Sequence, residues 1–423
     1  MVQARTDDTR SRTAPPDYVA RADALRILEV KPQTLYSYVS RGLIRRLAGP
    51  HGRGSYYHRD DLQRLKARSV ARSGHGPAAA SAVHWGEPVL TTSITEITPE
   101  GPRYRDRLAT ELARGGMLFE TVAEYLWSGR LGAVTEWSNE RQLDVIVARL
   151  AGIVRLHPQA HIHQILTELV LLVEMANRAQ EGDDELTRAR ALIRAMTGAL
   201  GFLGPGRRFV TLAPDESIHQ GMARALGIAA REANLDALNT VAILFADHEL
   251  TPATFSARIA ASAGSDLYAC IGAALHVHFG SALGLRCDRV EQLIAGELFD
   301  GDARGIDAIL ESAHTPYGLV HPLYRNGDPR VQMIVDVALH VWSRKAGAGA
   351  PPVSASEAWR QLTLEEALVV LCRALGTSQQ AAGGLLAVAR TAGWVAHITE
   401  QHRAGFMIRP RGKFVRQTEP VGP

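Results

Sequence analysis

Residues Gly318-Leu319-Val320-His321-Pro322-Leu323-Tyr324-Arg325-Asn326-Gly327-Asp328-Pro329-Arg330 place a histidine, two arginines and an aspartate in one short stretch. Gly327-Asp328-Pro329 reads as a turn. Arg330 can grip a carboxylate through two parallel N–H bonds, and His321 can donate to a carbonyl. That chemistry suits a small, multiply charged anion; composition alone equally allows a surface turn with a solvated arginine. Ala246-Asp247-His248-Glu249-Leu250 is a second dense spot. In isolation it reads better as a capped, solvated polar face of a helix. Glu365 and Glu366 follow Thr363, where acids in the first turn of a helix suit its dipole.

Gly318 to Arg330 resembles the G-x-x-H-P-L-Y-x-x-x-D-P-R signature of citrate synthases. The resemblance implies that His321 polarises the carbonyl of oxaloacetate and that Arg330 binds one of its carboxylates. Ala246-Asp247-His248-Glu249 is similar to the family's A-D-H-E word, which makes His248 an oxaloacetate-binding residue by likeness. Phe245 stands where the family often has another histidine. Tyr104-Arg105, Thr121 to Gly129, Asp266 to Cys270, Arg373 to Gly376 and Ala389 to His397 extend the likeness. Arg390 matches a carboxylate-binding arginine of the family. Arg409, in Arg409-Pro410-Arg411, matches the arginine that reaches into the partner subunit's site.

Two acid/base positions depart from the family pattern. Gly280-Ser281-Ala282-Leu283-Gly284-Leu285 falls where the family has G-P-x-H-G-G, so Leu283 occupies the place of its histidine. Leucine has no donor for a thioester carbonyl. His276 and His278 lie one to two helical turns upstream. Counting back from Arg373 puts Glu365 in the place of the catalytic aspartate, with one methylene more. Displacing a base by about 1 Å can cost on the order of 10²-fold in rate. Val320 replaces a glycine that usually precedes the histidine.

The likeness covers residues 83–415 and implies a mainly α, citrate synthase-like fold of two mostly helical domains. The large one spans 83–283 plus 385–423 and the small one 284–384, with the site in the cleft between them and a dimer as the assembly. Acetyl-CoA and an oxaloacetate-like carboxylate are the implied ligands, without a metal. The amphipathic helices expected over 137–230 carry no chemical signature of their own.

Composition is that of an ordinary globular chain: 423 residues, 46% hydrophobic and 22% charged. Cys270, Cys287 and Cys372 are far apart, odd in number and without C-x-x-C spacing, so neither a disulfide framework nor a zinc site is indicated. No apolar signal region or membrane-length run is present, which reads as a cytoplasmic protein without a membrane partner. The net charge of +3 hides an asymmetry: residues 1–75 carry a balance of +8 and the remainder −5. A basic front end suits a nucleic-acid contact.

Residues 1–15 read as disordered. From Tyr18 to Leu28, Ala24, Leu25 and Leu28 share one helical face. Pro32 suits the start of a second helix, which Gly42 stops. Leu43 to Leu47 and Ser55-Tyr56-Tyr57, around a Gly/Pro-rich tip, read as a hairpin wing. Asp60 or Asp61 caps a third helix to about Arg68. This order over 16–68 resembles the helix-turn-helix DNA-binding domain of MerR-type regulators, with Gln33, Thr34, Tyr36, Arg41 and Arg53 as the candidate contacts to double-stranded DNA. Residues 69–82 read as a linker.

Three functional readings follow. One is a citrate synthase-class acyltransferase with an altered acid/base site. Another is a DNA-binding regulator that senses a carboxylate or acyl-CoA. The third is a subunit that forms a heterodimer with an active citrate synthase paralogue, rather than a homodimer, and lends it Arg409.

Overall fold

A computed structural model describes residues 18–28, 30–40, 43–48, 55–59, 61–62, 90–132, 136–177, 184–280, 285–295, 324, 327–345 and 362–410. The chain divides into two compact units, Thr92–Ile408 and a second made of Met1–Thr91 with Arg409–Pro423.

In the N-terminal unit, strand β1 (Tyr18–Ala20), helices α1 (Arg21–Leu28) and α2 (Pro32–Ser40), and strands β2 (Arg46–Ala48) and β3 (Ser55–His58) follow in order. The sheet is antiparallel in the order β1-β3-β2, with Val19 opposite Tyr57 and Leu47 opposite Tyr56. Helix was expected from Tyr18, but Tyr18 and Val19 pair with β3 and the helix starts at Arg21. The β-prone Tyr-Val pair gains a ladder partner that the local periodicity does not reveal. Val19, Ala24, Leu28, Leu35, Ile44, Tyr57 and Leu62 form a core of their own. Of the two residues expected to cap the third helix, Asp60 lies outside the described residues and Asp61 accepts from the Arg45 backbone at 3.0 Å and from its guanidinium at 2.9 Å. Those bonds hold its carboxyl well below the usual carboxylate range.

The body opens with an antiparallel sheet of β4 (Thr95–Thr98), β5 (Gly101–Tyr104) and β6 (Arg107–Leu108), in which Thr95 faces Tyr104. Every longer element after it is helical. Helices α3 (Ala109–Arg114), α4 (Phe119–Ser128), α5 (Leu143–Leu156), α6 (Ile162–Asn177), α7 (Glu185–Ala199) and α8 (Ile218–Leu226) come first. Then follow α9 (Glu232–Phe245), α10 (Pro252–Ser262), α11 (Leu267–His278), α12 (Leu285–Ala295), α13 (Pro329–Ser343), α14 (Leu364–Leu375) and α15 (Ala381–Ala404). Their ends obey local rules. Asp184, Thr251, Asp266, Asp328 and Thr363 accept backbone N–H bonds as N-caps. Gly129, Gly227, Gly376 and Gly405 end helices in the left-handed conformation. No helix among the described residues is long and apolar enough to cross a membrane.

Helix α15 organises the body. It is buried along nearly its whole length and packs against α4, α7, α9, α10 and α11. Neighbours on every side require small residues at the contacts, which Ala381, Ala382, Gly383, Gly384, Ala387, Ala389, Ala392 and Gly393 provide. The closest approach is at Gly393, whose N–H donates to the Ala246 carbonyl at 2.9 Å. A Cβ there would lie 2.5 Å from that oxygen and 2.2 Å from Asp247 Oδ1.

Candidate active site

The last turn of α9 leaves carbonyl oxygens without helical partners, and positive or hydroxyl groups gather at them. The Tyr104 hydroxyl sits 2.9 Å from the Ile243 carbonyl, and 3.2 Å from the carbonyls of Leu244 and Asp247. Arg390, projecting from α15, donates Nε to the Phe245 carbonyl at 2.8 Å. Arg330, from the first turn of α13, reaches the Leu244 carbonyl at 3.4 Å and lies over the Phe245 ring. Two arginines from elements far apart in sequence thus converge on one helix end.

Beyond that end the chain turns through Asp247, His248 and Glu249. Glu249 has φ of 55°, a left-handed conformation uncommon for a side chain of its kind, and its N–H is held by Asp247 Oδ2 at 3.1 Å. Asp247 is completely buried and faces His397 Nε2 at 3.2 Å. Burial pushes its pKa upward, but the charges of His397 and Arg390 outweigh burial and hold it below the usual range. His248 is buried and meets the buried Tyr324 hydroxyl at 3.2 Å.

Arg330 grips a carboxylate, as its type allows, but that carboxylate is Asp328 of the same chain. Nε donates to Oδ1 at 3.0 Å and Nη2 to Oδ2 at 2.6 Å. Asp328 also caps α13 through the Arg330 N–H at 3.0 Å. Burial disfavours the Arg330 charge, yet Asp328 more than offsets it and raises the pKa. Arg390 differs. Among the described residues its Nε bond to Phe245 is its only side-chain hydrogen bond, so both terminal nitrogens are unengaged there. Burial lowers its pKa.

Glu365 and Glu366 divide the roles expected for first-turn acids. Glu366 forms a capping box with Thr363, accepting the Thr363 N–H at 2.6 Å. Glu365 makes no cap; it pairs with Arg286 of α12 at 3.4 Å and contributes to the field at Arg390. Arg409 is exposed and falls outside Thr92–Ile408. His321, Leu283, Arg41 and Arg53 lie outside the described residues. On α2, Gln33 is exposed, Thr34 half-buried, and Tyr36 is 43% exposed with Arg21 over its ring. No group of three His, Cys, Asp or Glu among the described residues is placed to hold a metal ion.

The structure adds members that motif reading passed over. Tyr104, Asp247, Tyr324, Asp328 and His397 stand inside recognised words without an assigned role. Only pairing across the fold reveals what each does.

The fold is a helical body that brings two buried arginines to one helix end. Residues 83–411 match the family profile described as "Citrate synthase, C-terminal domain". The chain belongs to the citrate synthase family. Citrate synthase 2 of Bacillus subtilis is 23% identical over 366 residues, covering 78% of this chain and 94% of its own. A 2-methylcitrate synthase of Mycobacterium tuberculosis is 25% identical over 365 residues, covering 80% and 91%. Among solved structures, Thermoplasma acidophilum citrate synthase in a ternary complex with carboxymethyl coenzyme A and oxaloacetate superposes with a TM-score of 0.63. It shares 18% identity over 81% of this chain and 98% of its own. The Thermotoga maritima citrate synthase gives 0.60 at 20% identity, covering 80% and 96%.

Proposed function

We propose that the body binds an oxaloacetate-like 2-oxo dicarboxylate at the end of α9 and condenses it with an acyl-CoA, acetyl-CoA by resemblance, at a rate limited by its acid/base groups. The observation that carries this reading is the convergence of Arg390, with its terminal nitrogens unengaged, on His248, Tyr324 and Arg330. His321 is the proposed carbonyl polariser, Glu365 the base, and Arg409 a contribution across a dimer. Leu283 supplies no proton, and loss of one general acid typically lowers the rate by about 10²–10⁴-fold. Glu365 sits 3.4 Å from Arg286, and that contact ties it down. The test is release of CoA thiol from acetyl-CoA and oxaloacetate by the full chain, beside Leu283→His/Glu365→Asp. The double variant is expected to exceed the native chain by at least about 10²-fold. A native rate equal to or above that of the double variant overturns the impaired-site reading.

A second reading concerns the N-terminal unit, favoured by its separate core, its paired short helices and its three-stranded sheet. We propose that it binds duplex DNA. Fluorescence anisotropy of the full chain with a random-sequence duplex at low salt should show roughly micromolar binding that weakens steeply as salt rises. Arg41→Ala/Arg53→Ala should weaken it further, and Arg390→Met should not. Absence of binding at low salt removes this reading.

A further inference from the structure

Two buried rings beside Arg390 carry polar atoms without partners. His278 closes α11 and is 5% exposed; Trp394 of α15 is wholly buried. Their rings meet edge to face with centroids 5.4 Å apart. His278 Nε2 and Trp394 Nε1 are both buried and make no hydrogen bond among the described residues. The other fully described deep tryptophans are satisfied: Trp127 donates to the Ala392 carbonyl at 2.9 Å and Trp137 to Glu124 at 3.1 Å. A wall needed only for packing could be phenylalanine at both positions, with no unmade bond. Asp247 Oδ1 and His397 Nδ1 also lack partners among the described residues, but they belong to the Asp247–His397 pair already described.

Arg390 stands four residues before Trp394 on α15, so the two share a helix face. The guanidinium acts on His278 as well: burial and the Arg390 charge push the imidazole down to about 3. His278 is therefore neutral at physiological pH and has one N–H to give. Indole can only donate. A cation and two ring donors suit an acceptor-rich, negatively charged group and exclude a cationic ligand.

We infer that His278 and Trp394 form a hydrogen-bonding wall of the anion site, donating from their ring N–H groups to an oxygen of a carboxylate-bearing ligand held by Arg390. This rests on the reading of Arg390 as a carboxylate-binding residue. It adds two positioning side chains to that site and gives a neutral imidazole a binding role that does not depend on its protonation.

The test is calorimetric titration of the full chain with oxaloacetate at pH 7.5. Arg390→Met should weaken binding by at least about 100-fold, and His278→Phe and Trp394→Phe each by about ten-fold. His278→Gln, which keeps a donor, should stay within about three-fold of the native chain. Phenylalanine variants that bind like the native chain, when Arg390→Met does not, overturn this inference and leave the site reading standing. If Arg390→Met binds normally, or the native chain binds no oxaloacetate, the site reading falls and the inference with it. A measurement on the unaltered chain guards against misfolded variants. With 15N-labelled tryptophan, one of the six indole N–H resonances should move on adding oxaloacetate. No movement of any indole signal under saturating ligand overturns the inference.

Discussion

Replacement of Gly393 by alanine should leave little folded body. An alanine Cβ would stand 2.2 Å from Asp247 Oδ1 and 2.5 Å from the Ala246 carbonyl, the first a buried carboxylate and the second backbone. Neither can yield as the end of a flexible surface chain would. Relief requires moving α15 away from the 246–247 segment, which stretches the Gly393 N–H bond to Ala246 and the Asp247–His397 pair. Overpacking alone costs about 1–3 kcal/mol. Leaving the buried polar groups of that pair unsatisfied adds about 1–3 kcal/mol. The helix-propensity gain of alanine over glycine, about 1 kcal/mol, is too small to offset these. Gly272 of α11 is the control, because nothing lies within 4 Å of its Cβ position. Gly272→Ala should be neutral or stabilising by up to about 1 kcal/mol. Urea denaturation of both variants decides the matter. A Gly393→Ala chain within about 1 kcal/mol of the native one would mean that the 246–247 segment moves freely, contrary to the packing described.

How much of this was readable beforehand depends on where each fact resides. Helix ends were legible because their causes are local: Gly129 after an amphipathic run, Pro32 at a helix start and Thr363 before two glutamates all appear as expected. The family signature assigns Arg390 and His248 to one site; in the fold Arg390 bonds the Phe245 carbonyl at the end of α9, and His248 lies in the turn just beyond it. The state of Arg330 was not legible. Its type announces carboxylate binding, but only three-dimensional structure shows that Asp328, two residues earlier, both caps the helix and occupies the guanidinium. Helix α15 is hard to read from periodicity for another reason. A helix surrounded on all sides has no polar face, so its signature is small residues set by neighbours distant in sequence. Tyr18 and Val19 show the same limit for strands, since their partner, β3, lies beyond both helices.

On acidification, His278 should make the body unfold earlier than its exposed groups alone would. Its pKa is about 3 in the folded state, against about 6.5 for an unperturbed histidine. A depressed folded value means that the unfolded chain takes up protons first. The stability from burying neutral His278 is therefore full above pH 6.5 and is lost as pH falls toward 3. The shift corresponds to as much as about 5 kcal/mol. Glu291 of α12, 3% exposed, opposes it. Burial raises its carboxyl to about 7, while its oxygen accepts the Gln380 N–H at 2.7 Å. A raised folded value gives stability that is full below the unfolded pKa of about 4.5 and is lost as pH rises through 7. That contribution amounts to about 3 kcal/mol. The two slopes have opposite sign between pH 4.5 and 6.5, so the native chain should show a muted dependence there. Glutamine at each position separates them, since it cannot titrate and can still hydrogen-bond. Glu291→Gln should raise Tm above pH 7 and steepen the loss of stability on the acid side. His278→Gln should flatten that acid limb. Thermal unfolding from pH 4 to pH 8 checks both. An acid limb unchanged in His278→Gln would show that the imidazole takes up its proton without unfolding, contrary to the depressed value that its burial imposes.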